Sequence, residues 1–143
     1  MEMHSYDEIY LSDAQNILGH AFDFALVTLG YPIEDLSEKI IQSNLVRQFE
    51  IGNPKYVTGM NGCEFLKAIY EESGILIEHE DEMYLDKSPE YWAGWILAYY
   101  QWYSAKTFRE ILKKTSIEKV LGMYPVYHEM DPLKFCETMS LIS

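Results

Sequence analysis

The sequence predicts an all-α protein, an irregular bundle of six to eight helices around a central aromatic helix at about 89–104. Three observations predict it. Apolar residues recur at steps of three and four along most of the chain, the helical period, and one short apolar run, 75–77, has strand length but no second strand pattern to pair with. Capping side chains stand directly before these periodic stretches. All three tryptophans and four of the twelve tyrosines fall within sixteen residues, 88–103. A helix apolar around most of its circumference belongs inside a core. At 143 residues the chain is expected to form a single helical domain, 1–143, long enough to bury that core.

The first helix is expected over about 6–29, with Ser5 or Ser12 as candidate caps. Leu11, Ala14, Leu18, Phe22, Ala25 and Leu29 form its apolar stripe, and Asp13, Asn16, His20 and Asp23 follow a second stripe expected to face solvent. Gly30 suits the stop and Pro32 bars continuation. A second helix is expected from Ile33 to Gly52 through Leu36, Ile40, Val46 and Phe49. Asn53-Pro54 opens a single turn. Asn61 and Glu64 have capping-box spacing before Phe65, Leu66 and Ile69, and Gly74 ends that helix. Ile75, Leu76 and Ile77 read as a buried connector, since no second strand pairs with them. An acidic loop, 78–86, then leads to the central helix.

Ser88 is a good N-cap there, Pro89 suits the first helical position, and Glu90 complements the helix dipole. On a helical wheel Trp92, Trp95, Ile96, Tyr99, Trp102 and Tyr103 share one arc, which Tyr91, Ala98 and Tyr100 widen. Glu90, Gly94, Gln101 and Ser104 remain on a narrow face, where Gly94 marks the close approach of a neighbour. Trp92, Trp95, Tyr99, Trp102 and Tyr103 are read as a structural hub, because each buried ring contributes roughly 1.5–3 kcal/mol or more. The competing reading is a stacking platform for a ring-bearing ligand. Beyond the hub, Thr107/Glu110 and Thr115/Glu118 have capping-box spacing and predict short helices at about 108–114 and 116–121. Tyr124-Pro125 reads as a loop or one turn, and Asp131-Pro132 starts a last helix.

Net charge is −12, and it is unevenly spread. Residues 1–38 carry eight acids and neither Lys nor Arg, and residues 78–90 hold six acids against Lys87 alone. The other two stretches are near neutral. Direct nucleic-acid binding is disfavoured, because phosphate affinity needs clustered cations. A basic stripe at Lys106, Arg109 and Lys113 has the outline of a helix-turn-helix, but any short helical hairpin shares that outline. Excess acid serves solubility in one reading, and a basic protein partner is the complementary inference. Asp7, Glu8, Asp13 and Asp23 on the first helix, with Glu78, Glu80, Asp81 and Glu82 in the loop, are the candidate partner-binding residues.

Catalytic chemistry finds little support. His79 among its acids, and His128-Glu129 near Asp131, lack the spacing of a metal site. Cys63 and Cys136 stand in no reactive motif and read as reduced, buried thiols. No glycine-rich phosphate loop and no nucleophile elbow is present. No catalytic residue, metal or cofactor is therefore expected, and the chain is read as non-enzymatic. No stretch approaches the roughly 20 apolar residues of a membrane span. The first residues have neither basic n-region nor apolar h-region, so a cytoplasmic location is expected.

A set of motifs adds to this reading: Asn53-Pro54-Lys55-Tyr56 with Gly59-Met60 and Gly62; Ser88-Pro89-Glu90-Tyr91-Trp92 with Gly94-Trp95 and the run 97–103; and Tyr124-Pro125 with His128-Glu129 and Asp131. Together they resemble a family of uncharacterised small acidic bacterial proteins over nearly the whole chain. The resemblance implies a gene arrangement beside genes for ADP-ribosyltransferase-like toxins, and hence an antitoxin or accessory role. It carries over no catalytic or binding residue. The leading expectation is thus a cytoplasmic binding protein that neutralises or escorts a basic protein partner, a toxin being one such partner. The alternatives are an acidic nucleic-acid mimic, as in a phage-type inhibitor of a nucleic-acid-binding protein, and a small-ligand binder or enzyme using the aromatic helix.

Overall fold

Two antiparallel helices, α1 (Leu11–Asp23) and α6 (Pro89–Ser104), form the axis on which the other elements pack. Their pairing is pinned along its length. The Ser88 hydroxyl donates to Asp23 at 2.6 Å, the Tyr91 hydroxyl to Asn16, and the Gln15 amide to the Trp95 carbonyl at 3.4 Å. At the far end the Trp102 indole donates to the Tyr6 carbonyl at 2.8 Å. The computed structural model describes residues 3–142 and contains ten α-helices and no strand there. Two of them, α4 (Pro54–Val57) and α9 (Tyr124–Tyr127), are single turns. The eight longer helices match the upper bound of the expectation.

The first expected helix is three pieces. A 3₁₀ turn, Glu8–Tyr10, capped by Asp7, leads into α1, and a π-helical turn, Phe24–Thr28, ends it before Gly30 at φ +68°. Neither Ser5 nor Ser12 caps it: the Asp7 carboxylate accepts from the Ile9 N–H instead. The second expected helix is two, α2 (Ile33–Gln42) and α3 (Asn44–Glu50), because Ser43 leaves helical geometry and caps the Val46 N–H. Glu72 accepts from Ser43 and from the first amides of α3, so the break is held by α5 (Gly62–Glu71) and its flank.

Both complete capping boxes, Asn61/Glu64 on α5 and Thr107/Glu110 on α7 (Phe108–Lys114), form as expected. The Thr115/Glu118 box does not. Thr115 is buried at the end of α7, and Ser116 caps α8 (Ile117–Gly122) instead. The last helix, α10 (Pro132–Ile142), starts on Asp131, whose carboxylate accepts from the Leu133 N–H. Phe135 of α10 meets Trp92, Tyr100 and Tyr127 edge to face. On the other side of the core, Phe49 stacks on Phe65 and leans on Phe108.

On α6 the narrow face is where a neighbour comes close, as expected at Gly94: Gly94 and Gln101 are buried, whereas Trp95, Tyr99 and Tyr103 on the ring arc are only half-buried. The cause is the absent side chain. A Cβ at Gly94 would stand 2.3 Å from the Leu18 carbonyl oxygen, so only glycine lets α1 come this close. Gln101 tolerates burial because its amide reaches Ser5, the Glu50 carbonyl and the Lys106 carbonyl. Of the five rings read as a hub, Trp92 and Trp102 lie in the interior.

Candidate functional site

The candidate acids do not form one face. Asp7 and Glu8 are exposed just before α1, beside the C-terminal end of α6. The loop acids lie at the other end, where His79 meets Phe24 beyond the last residue of α1. A sixteen-residue helix separates the two groups by about 24 Å. Asp13 is exposed in the first turn of α1 and accepts from the Thr58 hydroxyl at 2.5 Å. Asp23 is the clear correction. Expected on a solvent stripe, it is only 5% exposed and accepts from Ser88, so it serves the α1–α6 junction.

The loop itself is anchored to the helices around it. Residues 75–88 have no regular secondary structure, yet they are tied down at several points. Ile77 is buried, the Cys63 thiol donates to the Glu82 carbonyl at 3.4 Å, and Lys67 pairs with Asp81 at 2.7 Å. Ser88 closes the segment onto Asp23. Between these anchors the side chains face outward. Leu76 is 73% and Leu85 99% exposed, with Met83 and Tyr84 about half exposed. The connector 75–77 is therefore buried only at Ile77. Glu78, Glu80 and Asp86 make no ion pair among the described residues. Glu82 accepts from the Tyr84 hydroxyl. The result is an ordered acidic segment tipped with apolar side chains. Irregular segments of this length in compact folds usually carry function, and π-turns such as the neighbouring Phe24–Thr28 recur at functional sites.

A second feature lies where the loop meets α6. A cleft of about 230 Å³ is lined by Lys87, Tyr91, Trp92, Trp95, Tyr124 and His128. Trp92 and Tyr124 meet edge to face at 5.7 Å, and His128 stacks on Tyr124 at 4.2 Å. His128 Nδ1 bonds the Tyr124 carbonyl at 2.7 Å, and its Nε2 lies 3.6 Å from Glu129. The Lys87 ammonium stands over the Tyr91 ring, 5.2 Å from its centre. Of the three indoles, Trp102 takes no part. It is buried under His4, 3.9 Å away, at the other end of the helix.

The remaining groups are engaged elsewhere. Both cysteines are buried free thiols; burial pushes Cys63 up and Cys136 to about 12, the opposite of nucleophilic activation. Among the described residues no three His, Cys, Asp or Glu side chains are placed to share a metal ion. No helix among them is long and apolar enough to cross a membrane. Arg109 of the basic stripe donates to the Ile41 carbonyl at 2.8 Å and so ties α7 to the end of α2. Sequence reasoning missed Leu76, Met83, Tyr84 and Leu85, although 83–85 is an apolar triplet inside the acidic run. It also missed Tyr124 and His128 as neighbours of Trp92, for which no local signal exists. No family model, no curated protein and no solved structure matches the chain.

Proposed function

We propose that this chain is a non-enzymatic cytoplasmic binding protein that neutralises or escorts a basic protein partner, in the manner of an antitoxin. One observation carries the reading: the anchored segment 75–88 holds Leu76, Met83, Tyr84 and Leu85 in water within a frame of carboxylates. Exposed apolar side chains grouped on an ordered segment mark contact surfaces. The unpaired Glu78, Glu80 and Asp86 supply the field that steers a cationic partner and selects against acidic ones. Because the backbone is already tied to α1 and α5, docking loses little loop entropy. The buried, unactivated thiols support a role without nucleophilic chemistry. Asp7 and Glu8, at the far end of α6, belong to a separate surface that a large partner alone would reach.

The test is co-purification from the native host at low salt. The expected result is a basic partner whose capture weakens as salt rises and is lost in the Leu85→Ser/Glu80→Lys variant. A partner displaced by competing DNA or RNA would favour the nucleic-acid mimic instead. A chain that emerges alone at low salt would sink the proposal.

A further inference from the structure

The segment that leads into α6 carries six carboxylates between Glu78 and Glu90 and a single cation, Lys87. In such company a lysine normally pairs with a neighbouring acid. Lys87 does not: among the described residues it makes no ion pair, and its ammonium lies over Tyr91 on the wall of the aromatic cleft. The other five lining residues are all rings, with few rotatable bonds to freeze on binding. Their mutual contacts fix them further: Trp92 against Tyr124, and Tyr124 against His128. His128 is held at the rim through both nitrogens, Nδ1 on the Tyr124 carbonyl and Nε2 3.6 Å from Glu129, which leaves Lys87 as the cation facing the cleft.

We propose that this cleft binds a small planar aromatic anion, its ring system against Trp92, Trp95 and Tyr124 and its charged group against Lys87. Volume sets the scale. A cavity of about 150 Å³ takes one benzene, so about 230 Å³ accommodates a fused two-ring system with its substituent. Charge sets the sign. An aromatic cage for a quaternary ammonium needs unopposed ring faces, and here Lys87 already occupies one and repels a second cation. A polynucleotide base is excluded by the net charge of −12, which repels a chain of phosphates far more than one small anion. The site is distinct from the apolar tips of the docking segment, since Leu76, Met83, Tyr84 and Leu85 do not line it.

The experiment uses the full chain labelled with ¹⁵N and follows the three indole N–H signals during titration with 2-naphthoate, neutral 2-naphthamide and cationic 2-naphthyltrimethylammonium. The expected result is saturable movement of the Trp92 and Trp95 signals with naphthoate while Trp102 stays in place. The amide should bind at least tenfold more weakly. Lys87→Gln, an exposed position that leaves the fold intact, should lower naphthoate affinity to that of the amide. Equal binding of all three probes, preference for the ammonium, indifference of Lys87→Gln, or no saturation at millimolar naphthoate would each overturn the proposal.

Discussion

Gly94 and Ala105 show how single backbone positions decide the packing of the central helix. At Gly94 an added methyl would collide with the Leu18 carbonyl at 2.3 Å and the Phe22 ring at 2.9 Å. Neither neighbour is the free end of a flexible chain, so Gly94→Ala should cost about 3 kcal/mol by overpacking, read from urea unfolding. A smaller loss than 1 kcal/mol would mean that α1 and α6 separate easily. Ala105 ends α6 at φ 57°, the left-handed region where glycine is at home. Ala105→Gly relieves a strain of about 1 kcal/mol, part of it offset by the greater freedom of glycine in the unfolded chain. The variant should unfold at a slightly higher urea concentration than the parent.

At the scale of elements, the loop divides into anchors and free tips, and mutation should separate the two. Ile77 is buried and Leu85 almost fully exposed. Ile77→Ala should therefore cost about 2 kcal/mol or more, whereas Leu85→Ser should change stability by less than about 0.5 kcal/mol. Thermal unfolding of the two variants checks the contrast; a large loss in Leu85→Ser would show that the residue packs inward. The same division explains what the sequence disclosed. Helices with side-chain caps were legible, α5 from Asn61/Glu64 and α6 from Ser88-Pro89, because capping is local chemistry. The break at Ser43 was not, because Glu72, 29 residues away, holds it. Asp23 was misplaced for the same reason: helical spacing alone cannot foresee the Ser88 hydroxyl that draws the carboxylate inside. The cleft was half legible. Its α6 rings were plain, but Tyr124 and His128 arrive only through tertiary folding.

For the whole molecule, buried phenols set the alkaline limit. Burial alone raises Tyr6 and holds Tyr91 near 12; burial, with the bond to Asp35, also raises Tyr70. The unfolded chain loses these protons near pH 10. Above that pH it binds fewer protons than the fold does, so stability falls as pH rises. The contribution is fully present below about pH 10, and tyrosinate absorbance from these rings should appear together with loss of helical circular dichroism. Their ionisation in a chain that keeps its helicity would contradict the burial.

Charge is the other molecular property, and it acts through its placement. Asp7 and Glu8 stand at one end of α6 and the loop acids at the other, and the loop end joins its carboxylates to exposed apolar side chains on one anchored segment. The most direct measurement is photo-crosslinking in the native host, with a benzophenone amino acid at position 85 and a control at position 118, exposed on α8. The proposed function predicts one basic protein joined from position 85, absent from 118, and lost when Glu78, Glu80 and Asp86 are neutralised together. Identical adducts from both positions, or none from position 85, would contradict it.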